Sequence, residues 1–276
     1  MRIDTHQHFW IYDPNRDTWI TDNMSSIQRN FLPNDIAQTL KDNNFDGVVA
    51  VQASQSNKES HFLAELAQAY KMIKGVVGWV DLHSPQIDEY LDEYQKYNII
   101  KGFRHVIEGE EDGNFLSTDE FLNGIQSLTK YDYTYDLLIR PRHYESTLHC
   151  VRANPNQKFM LDHIAKPPIK SQEFEEWALF IQDLSSYPNV YCKISGLATE
   201  ADWTNWRLDH FTQYVDHVIK CFGKNRICYG SDWPVCLLAS SYEQSIEIVQ
   251  DKLKYFTQAE LDLFWGLNAV NFYSLK

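Results

Sequence analysis

Two histidines separated by one residue, His6 and His8, stand directly after a short strand-like run near the start of the chain. Residues i and i+2 of a strand point to the same side, so the two imidazoles can face one space. Such a pair binds a divalent metal or hydrogen-bonds a single substrate oxygen. Because two-residue patterns arise easily, two unrelated surface histidines are the alternative interpretation. The position at the end of a strand favours a functional pair.

An aspartate, Asp232, ends the last apolar run and is followed by Trp233 and Pro234. A carboxylate in this place can ligate a metal, take a proton from water, or do both. Its alternative role is to cap a helix that begins after Pro234. The indole of Trp233 offers an aromatic wall for a sugar ring, with packing in the core as its alternative.

Two cations occur within apolar runs, Arg104 in the fourth run and Lys193 in the seventh. The guanidinium can pair with a carboxylate or polarise a carbonyl oxygen, and a salt bridge to a nearby loop explains it equally well. A lysine in a buried strand is costly unless its charge is paired. We therefore expect Lys193 to contact substrate or to form an ion pair with a barrel carboxylate such as Asp232 or Asp4.

The sixth apolar run ends in Leu-Asp-His, which places His163 just before a turn. A histidine there suits a metal ligand or a proton-transfer group, with a core histidine bonded to backbone as the alternative. Strict alternation turns the preceding Asp162 to the opposite side, where it would brace a loop. The fifth run offers Asp136 and Arg140 but no histidine, and His143 is interpreted as a loop or helix-start residue.

The elements that must position these residues alternate along the chain between short β-branched runs and amphipathic segments. Near-continuous apolar runs are typical of parallel strands that are covered on both faces. Eight such units predict an α/β fold, a (β/α)₈ TIM barrel in a single domain over residues 1–276, with the active site at the carboxyl ends of the strands. The polar segment 11–31 is interpreted as a loop over the barrel mouth. The predicted strands are Arg2–His6, Gly47–Ala53, Lys74–Leu82, Ile100–Val106, Thr134–Arg140, Lys158–His163, Val190–Gly196 and Arg226–Ser231.

Two helix starts are predicted from capping boxes, in which a serine or threonine precedes a glutamate by three residues. One pairs Ser117 with Glu120, and the other pairs Thr257 with Glu260 ahead of the final helix. Each box satisfies backbone amides that a helix leaves free at its first turn.

The formal net charge of −13 at pH 7 disfavours nucleic acid and anionic membranes as partners. No apolar run approaches the roughly 20 residues of a membrane span, and the first residues lack the apolar stretch of a signal peptide. We therefore expect a cytoplasmic protein whose five cysteines are reduced.

Five segments that contain the polar residues above match known blocks in the same order along the chain. They are Ile-Asp-Thr-His-Gln-His-Phe-Trp, Lys-Gly-Phe-Arg-His, Leu-Asp-His-Ile-Ala-Lys-Pro, Lys-Ile-Ser-Gly-Leu and Tyr-Gly-Ser-Asp-Trp-Pro. The sequence thereby resembles the amidohydrolase superfamily, and within it the amidohydrolase-2 branch. It is most similar to the group of L-fuconolactonase, L-rhamnono-lactonase and 2-pyrone-4,6-dicarboxylate lactonase. The resemblance implies a distorted TIM barrel that hydrolyses a lactone ring.

The resemblance also implies roles for particular residues. The implied catalytic cluster consists of His6, His8, His163 and Asp232. The residues implied to contact substrate, or to lie close to it, are Arg104, Lys193, His105 and Trp233. The catalytic cluster would hold a single zinc ion, or the enzyme would work without a metal.

The expected function is hydrolysis of a sugar lactone, similar to L-fucono- or L-rhamnonolactone, to the aldonic acid. Water would attack the ring carbonyl, with Asp232 as the general base. One alternative is another reaction on the same barrel, either decarboxylation of an unsaturated acid or amide hydrolysis. The other is a non-catalytic barrel that binds a sugar acid. The expected partner is a small-molecule lactone, and a homo-oligomer is compatible with the sequence.

Overall fold

Eight parallel strands follow one another in chain order around the centre of the protein, which a computed structural model describes over residues 1–276. Each strand pairs with the next one in sequence, and helices connect them on the outside. The (β/α)₈ prediction is confirmed, although most strands end earlier than predicted and leave His163 and Asp232 on the loops that follow. The strands are β1 (Ile3–Gln7), β2 (Gly47–Val51), β3 (Ile73–Gly78), β4 (Ile100–His105), β5 (Thr134–Leu137), β6 (Phe159–Leu161), β7 (Val190–Ile194) and β8 (Ile227–Tyr229).

Ten α-helices cover the outside and the ends of the barrel. The buried residues of the longest one recur at the spacing of a single helix face, so an apolar stripe packs inward. None of these helices is long and apolar enough to cross a membrane. The helices are α1 (Pro33–Asp42), α2 (Asn57–Ala69), α3 (Ile87–Tyr94), α4 (Asp119–Lys130), α5 (Tyr144–Ala153), α6 (Glu175–Ser185), α7 (Asp209–Phe222), α8 (Tyr242–Gln250), α9 (Gln258–Asp262) and α10 (Asn268–Tyr273).

The two predicted capping boxes have different outcomes. Before α9, Thr257 accepts from the Glu260 amide at 3.4 Å, and the Glu260 carboxylate accepts from the Thr257 amide at 2.7 Å. The prediction at Ser117 is wrong by one residue, since Thr118 caps α4 by accepting from the Phe121 amide at 3.4 Å. Thr118 and Ser117 both carry the hydroxyl that a cap requires, so residue type alone did not distinguish them.

The sheet closes where the residues just beyond β8 pair with the end of β1. The Asp232 amide donates to the carbonyl of His6 at 2.9 Å, and the His8 amide donates to the carbonyl of Trp233 at 2.8 Å. We call residues 6–8 together with residues 232–233 the closing junction. Backbone hydrogen bonds at this junction therefore bring four of the predicted site residues next to one another, His6, His8, Asp232 and Trp233.

The C-terminal helix α10 closes the opposite end of the barrel. Its residues Ala269, Phe272 and Tyr273 are buried against apolar side chains of β1, β2, β3, β6 and β8. The Tyr273 hydroxyl reaches further and donates to the carboxylate of Asp136 in β5 at 2.8 Å. The helix thus contributes both apolar packing and one polar contact to the barrel interior.

The segment 11–31 lies over the mouth at the carboxyl ends of the strands. Its base is closed by two backbone hydrogen bonds between Trp10 and Phe31, each 2.9 Å long. Between them, Trp19 and Met24 contribute to the wall of a cavity at the mouth. The loop therefore forms one side of the space above the closing junction.

Candidate active site

The closing junction holds a buried group of three donor side chains at the carboxyl ends of the strands. The Nε2 atoms of His6 and His8 are 3.2 Å apart. Asp232 Oδ1 lies 3.7 Å from the first and 3.4 Å from the second. The structure therefore brings together the histidine pair and the aspartate, which are more than two hundred residues apart in sequence.

These three donor atoms fit a tetrahedral metal ion. Zinc binds imidazole nitrogen and carboxylate oxygen at about 2.0–2.2 Å, so tetrahedral ligands stand about 3.3–3.5 Å apart. The observed separations of 3.2, 3.4 and 3.7 Å bracket that value. His163 Nε2 lies at the edge of the group, 3.9 Å from Asp232 Oδ1. Three close ligands and one open position are the arrangement that catalytic zinc sites use.

Hydrogen bonding leaves the facing nitrogen of His8 free for a ligand. His8 Nδ1 donates to the carbonyl of Val51 at 2.8 Å, so Nε2 faces the site. Two groups that can only donate flank the His6 ring, with Arg104 Nη1 3.3 Å from Nε2 and Lys193 Nζ 3.3 Å from Nδ1. Burial is the main cause that lowers the pKa of His6 well below its usual value, so this ring is neutral at pH 7. A neutral ring beside a free imidazole nitrogen suits a cation next to both.

His163 projects from a left-handed turn in which residues 163–166 all have positive φ angles, between 47° and 60°. Such a conformation costs an L-residue about 1–2 kcal/mol, and strain of this kind is concentrated at functional sites. Ser195 Oγ lies 2.9 Å from His163 Nδ1 and orients the ring. A Cβ at Gly196 would lie 2.6 Å from that nitrogen and 3.1 Å from Asp232 Oδ2. Only glycine therefore allows this backbone to approach both groups.

A buried cluster of four charges lies beneath His6. Lys193 Nζ is 2.5 Å from Asp136 Oδ2 and 3.0 Å from Asp162 Oδ1, while Arg104 Nη1 is 3.0 Å from Asp162 Oδ2. Asp162 Oδ1 also lies 3.3 Å from His6 Nδ1. A carboxylate beside the far nitrogen of a histidine restrains the orientation of the ring. The charge cluster thus supports the site from below.

Burial and charge oppose each other in this cluster. Burial raises the pKa of Asp136 to about 6, against the attraction of Lys193. Burial lowers the pKa of Lys193. The negative charges of Asp136 and Asp162 outweigh burial, and the net effect raises the lysine pKa. At Asp162, Lys193, His6 and Arg104 together outweigh burial and hold its pKa well below its usual value. The lysine and Asp162 are therefore charged at pH 7, and Asp136 is mostly so.

Two predictions about this cluster require correction. Lys193 is predicted to contact substrate, but its side chain is fully buried and does not line the cavity. The alternative interpretation, an ion pair with a barrel carboxylate, agrees with the structure, although the partners are Asp136 and Asp162 and not the examples Asp232 or Asp4. Asp162 is not on the far side of its strand, because β6 ends one residue earlier and the left-handed turn interrupts the alternation.

The structure also places His105 and Trp233 away from the cavity. His105 pairs with Glu110, with 2.7 Å between Nε2 and Oε1, and its ring stacks on Phe115. Trp233 is 3% exposed and packs edge-on against Phe31, which is the core interpretation of this residue. Neither side chain is therefore placed to touch a substrate at the closing junction.

A cavity of about 650 Å³ opens above the closing junction. Its floor includes four predicted residues, His8, Arg104, His163 and Asp232. Its apolar walls come from loops and are formed by Trp19, Met24, Trp203, Val235 and Leu238. A space of this size holds a small molecule of the dimensions of a monosaccharide.

Sequence reasoning missed a second charged group in this cavity, formed by Glu108, Arg140, Lys166 and Glu200. Each of the four stands on a loop after a different strand, from β4 to β7. Loop residues have no periodic pattern that predicts where their side chains meet. The one available signal is that all four follow the carboxyl ends of strands, where barrel active sites are built.

Fold and site define a (β/α)₈ barrel with a histidine and aspartate cluster at its mouth. A sequence profile described as amidohydrolase matches residues 3–275, and the chain belongs to this family. The L-fucono-1,5-lactonase of Burkholderia multivorans is 34% identical over 100% of this chain and 96% of its own length. An amidohydrolase crystal structure from Burkholderia multivorans with bound zinc is 35% identical, covers 100% of both chains and has a TM-score of 0.95. A probable 2-pyrone-4,6-dicarboxylic acid hydrolase from Acinetobacter baumannii shares the fold at 17% identity, 99% coverage of both chains and a TM-score of 0.79.

Proposed function

We propose that the protein hydrolyses a sugar lactone of the L-fucono- or L-rhamnonolactone type to its aldonic acid. The observation that carries this proposal is the position of the Asp232 carboxylate on the cavity floor, with Oδ1 3.4–3.9 Å from nitrogens of His6, His8 and His163. A carboxylate among imidazoles can take and return one proton, which ester hydrolysis requires. The lactonase names of the similar proteins support the same reaction class.

In this mechanism Asp232 removes a proton from a water molecule whose oxygen attacks the ring carbonyl carbon. Negative charge develops on the carbonyl oxygen, and the Arg104 guanidinium at the cavity floor stabilises it. The bond to the ring oxygen then breaks, and Asp232 returns its proton to that oxygen. Burial lowers the pKa of His163 well below its usual value, so this ring is neutral and can pass the proton through Nε2.

His6, His8 and Asp232 would hold a zinc ion, with His163 beside them. Zinc, when bound, supplies positive charge that stabilises the developing negative charge on oxygen. In the alternative, Arg104 alone provides this positive charge. Its guanidinium already lies beside the histidine pair, with Nη1 3.3 Å from His6 Nε2. The site that holds zinc and the site that relies on Arg104 alone predict different responses to added zinc.

Zinc is expected to raise the melting temperature of the protein by several degrees. At a free zinc concentration one hundred times Kd, binding adds about 2.7 kcal/mol to the free energy of unfolding. Differential scanning fluorimetry against zinc concentration measures the shift. His8→Asn, which removes one ligand, should abolish most of it, while His149→Asn on the exposed face of α5 should not. An equal zinc-dependent rise in melting temperature in both variants would show that zinc binds outside the closing junction.

The reaction is tested by a panel of lactones assayed with and without a chelator. Acid release from L-fuconolactone or L-rhamnonolactone, followed with a pH indicator, is the expected result. Release of carbon dioxide or ammonia from other substrates would instead support decarboxylation or amide hydrolysis. A ligand that stabilises the protein without turnover would support a sugar-acid-binding barrel. Loss of activity with chelator, restored by zinc, would assign the metal a part in catalysis.

A further inference from the structure

We propose that an ion-pair network in the cavity wall restricts the enzyme to uncharged lactones. This inference rests on the proposed lactonase function and adds the charge class of the substrate. The network comprises Glu108, Arg140, Lys166 and Glu200, all of which line the cavity. We call these four residues the wall quartet.

Each cation of the wall quartet lies between the same two carboxylates. Arg140 places Nε 3.1 Å from Glu108 Oε2 and Nη1 2.7 Å from Glu200 Oε2. Lys166 Nζ lies 2.7 Å from Glu108 Oε2 and 3.7 Å from Glu200 Oε1. The most exposed of the four side chains is only 35% exposed, so these pairs are screened less than surface pairs. Together they carry two positive and two negative charges and sum to zero.

The other cations of the cavity are paired as well. Arg16 lies 2.7 Å from Asp17, and Arg104 lies 3.0 Å from Asp162. Every lysine and arginine that lines the cavity therefore has a carboxylate partner. A substrate carboxylate beside the wall quartet would have to displace Glu108 or Glu200 from its cation or remain there without a counter-charge, and a charge without a partner is disfavoured where water is partly excluded.

Hydroxyl groups meet no such penalty at the wall quartet. A sugar hydroxyl can donate to a glutamate oxygen and accept from Arg140 or Lys166 without separating any pair of charges. Hydrogen bonds to charged groups are stronger than neutral ones, so the quartet can orient a polyol. A neutral polyhydroxylated lactone is therefore the substrate class that both the charges and the size of the cavity accept.

Two lactones that differ only in charge test this inference. L-Galactonolactone is neutral, and galactarolactone carries a carboxylate in place of its terminal hydroxymethyl group. We expect the wild-type kcat/KM to favour the neutral lactone by about 100-fold or more. Glu200→Gln leaves the quartet with one net positive charge and should raise the kcat/KM ratio of charged to neutral lactone by about 10- to 100-fold.

Glu108→Gln provides an independent second variant, and Glu65→Gln on the exposed face of α2 is the control for the same change in net charge. Melting temperatures establish that each variant is folded before it is assayed. Equal kcat/KM for both lactones in the wild type would overturn the inference while leaving the lactonase proposal intact. An unchanged ratio in folded Glu200→Gln and Glu108→Gln would do the same. Absence of turnover on every neutral lactone, L-fuconolactone included, would overturn the proposed function and this inference with it.

Discussion

Replacing Asp232 with asparagine is expected to reduce kcat by about 10²–10⁴-fold, the usual effect of losing a general base. The carboxylate oxygen lies 3.4 Å from His8 Nε2 on the cavity floor, where a water molecule and a lactone carbonyl can meet. Asparagine retains the size of the side chain but cannot take a proton from water at neutral pH. It also tolerates the left-handed backbone at this position, where φ is 62°. The change thus tests chemistry rather than folding.

Steady-state kinetics on L-fuconolactone measure the effect, with zinc held at saturation so that weaker metal binding does not enter kcat. Asp92→Asn on the exposed face of α3 is the matched control and should behave as the wild type. A folded Asp232→Asn protein whose kcat stays within tenfold of the wild type would remove this residue from the role of base. His163 would then be the next candidate, because it lines the cavity with Nε2 3.9 Å from Asp232 Oδ1.

Replacing Lys193 with methionine is expected to lower the free energy of unfolding by about 3–5 kcal/mol. Lys193 is the shared partner of Asp136 and Asp162, and all three side chains have no exposed surface. Methionine has a similar length but no charge, so it would leave two buried carboxylates with fewer partners. Urea denaturation followed by circular dichroism measures the loss.

A second substitution separates charge from packing. Asp136→Asn in the Lys193→Met background removes one of the stranded carboxylates and should restore part of the lost stability. Lys158→Met breaks an ion pair on the surface, with Asp132, and should cost less than about 1 kcal/mol. Equal losses in the free energy of unfolding for Lys193→Met and Lys158→Met would show that the stability of the buried cluster does not depend on Lys193.

The barrel and the converging histidines were predictable from the sequence for a simple reason. Short apolar runs alternated with amphipathic segments, and period-two geometry placed His6 and His8 on one side of a strand. The aspartate could be placed because barrel strands all present their carboxyl ends at the same face. Periodicity along the chain and the symmetry of the fold were together sufficient for these residues.

An ion pair between Lys193 and a barrel carboxylate was expected, and the same reasoning could have identified the carboxylate. Interior layers of a barrel are filled from alternate strands, so a side chain of β7 shares its layer with one from β5. Asp136 stands on β5 and was the available carboxylate. Asp162 was not predictable, because the left-handed turn after β6 depends on tertiary contacts that no sequence period reports.

The hydrogen bond from Tyr273 to Asp136 joins residues 137 positions apart. During synthesis on the ribosome, β5 emerges long before α10, the last helix of the chain. Until that helix docks, Asp136 lacks its tyrosine donor and the lower end of the barrel is open to water. We therefore expect the interior charges to reach their final arrangement only once α10 has docked. Folding of this barrel is in that sense completed by a helix that lies far along the chain from β5.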